Sequence, residues 1–287
     1  MGAISRLTLC VLSSLLLLPA LLARGGTWVE DRQSPGNLYS QALIHALNQE
    51  FAGDGDSYLL LDANSGTLLA SHWSNYSSPI SLGSLVKPFT ALAYAETHDF
   101  VFPTYECKGQ ASACWQVHPH GSLNIVSAIS ASCNSYFRTL AGNVSTPQMQ
   151  SVTHEFGLQA PGKNFTVSSL VGLGGEWKIS PIRMAHAYGE LWQRRTQPGV
   201  REIIEGMSRS AHHGTGAAVG RQIKYSEVLV KTGTVPCSHA AQTSTDGFAV
   251  VLLPVQNSAI VLLIRVHGVA GVKAAEVAAR VLRQSEE

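Results

Sequence analysis

The pattern of apolar and polar positions predicts a helix followed by a pair of strands near the start of the folded part of the chain. In residues 38–51 the apolar side chains recur at helical spacing, which indicates an amphipathic helix. Two apolar runs follow, at 58–62 and 67–73, and the short segment Ala-Asn-Ser-Gly separates them. Apolar runs on either side of such a turn predict a β-hairpin.

The middle of the chain has a mostly helical pattern. Residues 84–97 (SLVKPFTALAYAET) are predicted to form a helix that begins close to Ser84, because Pro88 is tolerated only in a first helical turn. Residues 125–141 and 181–194 show the clearest helical periodicity in this region.

The last third of the chain changes period. Residues 227–235, 247–253 and 260–266 are rich in Val, Leu and Ile and are typical of strands, whereas 272–283 is again helical. We therefore predict an α+β fold, with an antiparallel sheet of about five strands flanked by helices. This domain is expected to span residues 57–287, with a mostly helical subdomain inserted at about residues 98–220.

The first 23 residues differ from the rest. Arg6 precedes an almost wholly apolar stretch, and small residues then lead into Arg24. A basic start, an apolar core and small residues predict a secretory signal peptide. An uncleaved N-terminal anchor is the alternative, because Leu21 lies where cleavage after Ala23 would favour a small side chain. In either case we expect export, with residues 24–56 forming an N-terminal extension and the first helix.

The composition excludes one class of partner. Hydrophobic residues make up 45% of the chain and charged residues 14%, and the formal net charge is +1. These values favour a large buried core over disorder. The sequence contains no run of five like charges, so we expect no nucleic-acid partner.

Four cysteines follow the N-terminal segment, and in an exported protein an even number permits disulfides. Cys107 and Cys114 are close together in a polar stretch and are predicted as a disulfide pair. For Cys133 and Cys237 two states stay open: a second disulfide or two free thiols. A zinc site is the rival interpretation, since two histidines (118 and 120) lie nearby, but the spacing matches no standard zinc finger. We therefore expect no metal.

Three short motifs carry candidate chemistry. In the first, Ser84 and Lys87 are three residues apart at a helix start and so share one helix face, where Oγ and Nζ can meet. The positive end of the helix dipole and burial would both favour a neutral lysine able to take the serine proton. Alone this pattern is weak, because Ser84 could equally be a helix N-cap and Lys87 a solvated lysine.

The second motif is Ser132-Cys133-Asn134, in an otherwise apolar stretch. The Ser132 hydroxyl could relay a proton, and the Asn134 amide could hold a substrate amide. The alternative is a helix interruption that is satisfied locally.

The third motif ends a predicted strand with Lys231, Thr232, Gly233 and Thr234. Lys231 offers a positive charge to a substrate carboxylate, and Gly233 lets a ligand backbone approach closely. The Thr234 N–H could complete an oxyanion hole with that of Ser84. The alternative is an edge strand that a lysine protects from pairing.

In this order and with these spacings, the motifs resemble the active-site set of the penicillin-recognising serine enzymes. The surrounding sequence is similar to high-molecular-weight penicillin-binding proteins at residues 82–90, 122–140, 174–188, 213–216 and 246–254. The resemblance implies a transpeptidase domain in a short form that lacks the usual N-terminal pedestal. It also implies a bacterial protein, located in the periplasm or on the outer face of the cytoplasmic membrane.

The resemblance further implies a role for each motif residue. Ser84 would be the nucleophile, Lys87 its base and Ser132 the proton donor to the leaving group. The substrate-binding positions would be Asn134, Lys231, Thr232, Gly233 and Thr234. The implied substrate is the D-Ala-D-Ala end of a peptidoglycan stem peptide. β-Lactams would act as covalent inhibitors, and cell-wall synthesis proteins are the implied partners. No cofactor is implied.

Two other functions remain open at this stage. A class D-like β-lactamase would share the acylation step, but that class typically has a hydrophobic residue where this chain has Asn134. Neither Glu155 nor Glu176 is a convincing water-activating carboxylate. The other alternative is a non-catalytic β-lactam sensor or cell-wall scaffold.

Overall fold

A computed structural model describes residues 35–53, 55–223, 227–237, 245–255 and 258–286. The predicted signal peptide or anchor, residues 1–23, lies outside these ranges. Among the helices that the structure describes, none is long and apolar enough to cross a membrane.

A five-stranded antiparallel sheet forms the centre of the fold, in the order β2-β1-β7-β6-β5. The N-terminal hairpin supplies β1 and β2, and the last third of the chain supplies the other three strands. The bounds are Ser57–Asp62 for β1, Leu68–His72 for β2, Leu229–Pro236 for β5, Thr245–Val255 for β6 and Ser258–His267 for β7. The predicted α+β fold is confirmed, because both ends of the chain complete one sheet.

The central strands are apolar on both faces because helices cover both sides of the sheet. In β6, Phe248, Val250 and Leu252 face one core, whereas Ala249 and Val251 face the other. The second core is covered by α1 (Pro35–Glu50), α9 (Ala217–Gln222) and α10 (Gly271–Gln284). Among the described strands, β5 pairs with β6 alone and lies at the edge of the sheet, so its other edge faces the helical region.

The helical region lies between β2 and β5 and covers the first core. Its helices are α2 (Lys87–Ala95), α3 (Ile125–Ser130), α4 (Asn134–Ala141), α5 (Thr146–Glu155), α6 (Val167–Val171), α7 (Pro181–Gln193) and α8 (Val200–His213). A small two-stranded sheet, β3 (Tyr105–Cys107) with β4 (Gly121–Leu123), was not predicted from the sequence.

The continuous helix predicted at 125–141 is wrong, because the chain breaks between α3 and α4. Ser132 lies in the break with φ of +50°, a left-handed conformation that serine rarely adopts. The break turns the chain so that Asn134 begins α4. The alternative interpretation of this segment, a helix interruption, describes the backbone correctly.

Candidate active site

The first motif lies on a tight turn that leads into α2. Residues Gly83–Val86 form one turn of 3-10 helix, and Lys87 is the first residue of α2, with Pro88 in the first turn as expected. The Tyr188 hydroxyl donates a hydrogen bond to the Leu85 carbonyl at 3.0 Å and fixes the turn from the core side. Ser84 is half-buried, whereas Lys87 is 0% exposed.

The Lys87 side chain forms its hydrogen bonds with the second motif and not with Ser84, its partner in the first motif. Its Nζ donates to Asn134 Oδ1 at 2.6 Å, to the Ser132 carbonyl at 2.7 Å and to Ser132 Oγ at 3.3 Å. Within the described part of the chain, no hydrogen bond joins Ser84 Oγ to Lys87 Nζ. The predicted contact between Oγ and Nζ is therefore not formed, and the Lys87 amine is bound by oxygens of the second motif.

The third motif lies on the edge strand β5 and meets the same serine. Lys231 is 0% exposed, and its Nζ donates to Ser132 Oγ at 2.8 Å and to the Thr232 carbonyl at 2.7 Å. The Ser132 hydroxyl therefore has an amine from each of the other two motifs within hydrogen-bond distance. This contact joins the three motifs into one connected network of buried polar groups.

Glycines let the edge of β5 pack directly against the turn at residues 83–86, which carries Ser84. A Cβ on Gly233 would lie 2.6 Å from the Leu82 carbonyl oxygen, and a Cβ on Gly83 would lie 2.5 Å from the Thr234 carbonyl oxygen and 2.8 Å from its nitrogen. Gly83 also has φ of +57°. The sequence interpretation of Gly233 as room for a ligand is therefore incomplete, because the fold itself needs this space.

Substitution of Gly83 by alanine should lower the free energy of unfolding by about 1–3 kcal/mol, since the new Cβ would meet the Thr234 backbone and strain a left-handed residue. Urea denaturation measures the difference. Gly162→Ala is the control, because a Cβ there meets nothing within 4 Å. Equal midpoints for the two variants would show that the turn is not packed on β5 in this way.

A cavity of about 260 Å³ opens above the network. Six predicted site residues line it: Ser84, Ser132, Asn134, Thr232, Gly233 and Thr234. Lys87 and Lys231 are fully buried and do not line the cavity themselves, but both contact Ser132, which does. The structure therefore places the half-buried Ser84 on a cleft whose wall is hydrogen-bonded to two fully buried lysines.

Other lining residues were not predicted as site residues. Trp115, Leu173 and Val272 form an apolar rim and are 47%, 42% and 41% exposed. Thr215 also lines the cavity, and its Oγ1 accepts a hydrogen bond from Thr232 Oγ1 at 2.7 Å. Thr215 belongs to the segment 213–216, whose resemblance to the family was the only sequence signal for it.

Burial determines the electrostatics of the two lysines. It lowers the pKa of Lys87 to about 7, and the positive charge of Arg138 adds to this change. Burial also lowers the pKa of Lys231 well below its usual value, and the nearby positive charge of Lys87 lowers it further. A lysine that is neutral near pH 7 can accept a proton, as a general base must.

The rate at which Ser84 is acylated should therefore rise with pH and level off above the Lys87 pKa of about 7. Below that value the amine is protonated, so the rate should fall by about tenfold per pH unit. Stopped-flow acylation by a fluorescent penicillin from about pH 5 to 9 measures this profile. A rate that is constant across the range, or that falls as the pH rises, would contradict a neutral Lys87 acting as the base.

Carboxylates are absent from the part of this cavity that the structure describes. Glu155, one of the two acids considered from sequence, forms an ion pair with Arg194 on the surface. Glu176 is exposed and does not line the cavity. Neither acid is therefore positioned to activate water at Ser84.

The predicted Cys107–Cys114 disulfide is not present. Cys107, Cys114, Cys133 and Cys237 are all free thiols. The first three converge instead on His120, because the break between α3 and α4 brings Cys133 to Cys107 at the end of β3 and to Cys114 in the segment that follows. His118, the other histidine considered with the cysteines, is not part of this group. These four side chains, which include the neighbour of Ser132 and Asn134, form one of two groups in the described part of the chain that could hold a metal ion.

A sheet covered by helices on both faces, with Ser-x-x-Lys, Ser-x-Asn and Lys-Thr-Gly brought to one cleft, is the arrangement of the penicillin-recognising serine enzymes. A family model agrees: the one described as "Penicillin binding protein transpeptidase domain" matches residues 41–284. The chain therefore belongs to the penicillin-binding protein transpeptidase domain family. No curated protein matches the sequence.

Solved structures share this fold at low sequence identity. Pseudomonas aeruginosa PBP2, solved with WCK 5153, gives a TM-score of 0.70 at 18% identity, covering 86% of this chain and 73% of that one. Helicobacter pylori PBP2, solved with MreC, gives 0.71 at 16%, covering 84% and 62%. The transpeptidase domain of Burkholderia pseudomallei penicillin-binding protein 3 gives 0.64 at 17%, covering 86% and 91%. This chain thus spans less than two thirds of the H. pylori protein, and these similarities concern the fold.

Proposed function

We propose that this chain is an exported serine acyltransferase that acts on the D-Ala-D-Ala end of peptidoglycan stem peptides through an acyl-Ser84 intermediate. The observation that carries the proposal is the buried network in which Lys87 and Lys231 both reach the Ser132 hydroxyl beside the cleft that Ser84 lines. Two buried lysines on one hydroxyl are costly to desolvate, which is typical of a catalytic site.

In the first step, Ser84 Oγ attacks the carbonyl carbon of the penultimate D-Ala while its proton passes to neutral Lys87. The two groups tighten into contact when the substrate binds, as catalytic hydrogen bonds often do. The backbone N–H groups of Ser84 and Thr234 stabilise the oxyanion, since Gly83 allows their two segments to pack together.

In the second step, the tetrahedral intermediate collapses and the bond to the terminal D-Ala breaks. Ser132 gives its proton to the departing amine and regains one from the lysine network. Asn134 orients the peptide amide, while Thr232 and Thr234, which line the cleft, hold the terminal carboxylate. Lys231 was expected to offer its charge to this carboxylate, but it is fully buried and does not line the cavity, so it acts through the Ser132 hydroxyl. An amine or water then releases the acyl group from Ser84, which gives transpeptidation or carboxypeptidation.

Slow hydrolysis of β-lactams follows from the same cleft. A β-lactamase must activate water against the acyl-enzyme, and the described lining of the cavity carries no Asp or Glu that could do so. Asn134 in place of a hydrophobic residue also favours the penicillin-binding type. A β-lactam should therefore acylate Ser84 and remain attached.

The apolar rim is proposed to contact the donor ligand. Leu173→Ala should weaken binding of a β-lactam with a bulky apolar side chain by up to about tenfold, because a fully buried leucine contributes about 1.5–3 kcal/mol and Leu173 is only partly covered. The measurement is the concentration dependence of acylation. Leu38→Ala, at an exposed leucine on α1, is the matched control. Equal effects of the two substitutions would exclude the rim from binding.

A pentapeptide that ends in D-Ala-D-Ala, incubated with the full-length chain and glycine as acceptor, tests the proposed reaction. Mass spectrometry should show release of D-Ala and a product that contains either glycine or a free carboxylate, and neither should form with Ser84→Ala. Rapid nitrocefin hydrolysis would favour the class D-like β-lactamase instead. A stable β-lactam adduct without D-Ala release would favour a sensor or scaffold.

A further inference from the structure

Four metal-ligating side chains lie together behind the active-site cleft. Cys107, Cys114, His120 and Cys133 each direct one ligand atom into a space where all four atoms lie within 4.8 Å of one another. We call this group the Cys3His cluster. Its three cysteines are buried, and its histidine is half-buried. The catalytic network uses none of these side chains.

Three of the six distances between the ligand atoms match those of a tetrahedral zinc site, and the other three are within 4.8 Å. The Cys114 and Cys133 sulfurs are 3.7 Å apart, and His120 Nδ1 lies 3.4 Å from the Cys107 sulfur and 3.6 Å from that of Cys114. With Zn–S of about 2.3 Å and Zn–N of about 2.0–2.1 Å, a tetrahedron places two sulfurs about 3.8 Å apart and sulfur and nitrogen about 3.6 Å apart. Three thiolates and one imidazole are a common structural zinc set.

Hydrogen-bond donors surround the sulfurs, as thiolate ligands of a metal require. Ser135 Oγ lies 3.2 Å from the sulfurs of both Cys107 and Cys133. The backbone N–H groups of Gly109 and His120 also donate to Cys107. Gly109 has φ of +65°, a left-handed conformation that glycine adopts without strain.

We propose that the Cys3His cluster binds one zinc ion, which links the segment 107–120 to the second motif. Cys133 lies between Ser132 and Asn134, so a metal on its sulfur would fix the backbone that presents both groups to the lysines. It would also support the left-handed conformation of Ser132. In an exported protein, zinc would further protect three adjacent thiols from oxidation to disulfides.

The metal content of the full-length chain, purified without chelator or metal-affinity resin, tests the proposal independently of any activity. We expect close to one zinc ion per chain. Zinc-edge X-ray absorption should show three sulfur neighbours at about 2.3 Å and one nitrogen at about 2.0–2.1 Å. A metal-free protein with a disulfide between two of the three cysteines would overturn the proposal, as would zinc without sulfur ligands.

Variants locate the ion. Cys114→Ser should bind zinc more weakly, melt at a lower temperature and acylate more slowly than the parent. Cys237→Ser is the matched control, because it removes a free thiol outside the cluster. Cobalt substitution of the parent should give the intense visible bands of tetrahedral thiolate coordination even if Cys114→Ser does not fold. Loss of metal from Cys237→Ser alone would place the ion at the Cys237–Asp246–His267 group and contradict the assignment.

Discussion

Replacement of Lys87 by methionine should slow the acylation of Ser84 by about 100- to 10,000-fold, the usual contribution of a positioned general base. Methionine has a similar length and no proton-accepting nitrogen, so the cleft keeps its shape while the serine loses its base. The rise of the rate with pH around the Lys87 pKa of about 7 should disappear in the same variant. A purely structural lysine would not produce that second effect.

The fold should survive this substitution. The Ser132 carbonyl and Asn134 Oδ1 each lose a donor, which costs about 1–3 kcal/mol per group left buried without a partner. An apolar side chain packs better against Phe137, whose ring centroid is 5.5 Å from Lys87 Nζ, and the desolvation cost of the amine is removed. These effects on stability oppose each other. The melting temperature should therefore change little, whereas the acylation rate falls by about 100-fold or more.

Lys178→Met is the control for Lys87→Met, because it makes the same substitution at an exposed lysine. It should leave both the rate and its pH profile unchanged. If Lys87→Met were acylated as fast as Lys178→Met, then Lys87 would not be the base, and the buried network would be a structural feature.

The sheet could be predicted from sequence because its strands carry a signal that depends on burial alone. β6 and β7 are apolar at nearly every position, since helices cover both faces, and the turn between β1 and β2 has its own composition. The order and spacing of the three motifs resemble those of the penicillin-recognising serine enzymes, and this resemblance predicted that the motifs meet in one cleft. These features depend on local sequence, so the prediction and the structure agree.

The break at Ser132 could not be predicted, because the helical periodicity of residues 125–141 continues through it. The left-handed residue is held by contacts that are distant in sequence: Lys87 and Lys231 on its side chain and carbonyl, and Thr215 N–H on the Ser130 carbonyl. The same break carries Cys133 to Cys107 and Cys114, so the closeness of those two cysteines in sequence, from which a disulfide was predicted, did not reveal the group that forms.

The rim of the cleft was also missed for a physical reason. Trp115 and Leu173 lie outside the helices and strands, and an exposed apolar residue in such a segment has no periodicity that points to a site. Leu173 follows α6, and Trp115 lies between β3 and β4. The tertiary packing of these segments brings both side chains to the cleft that Ser84 lines.

The central claim is that Ser84 forms a covalent acyl-enzyme, and the most direct measurement is the intact mass of the full-length protein after incubation with benzylpenicillin. We predict that one penicilloyl group is added, that peptide mapping places it on Ser84, and that it persists over hours. Ser84→Ala should melt at the same temperature as the parent and gain no mass. A parent protein that gains no mass, or that carries the adduct on another residue, would contradict the account.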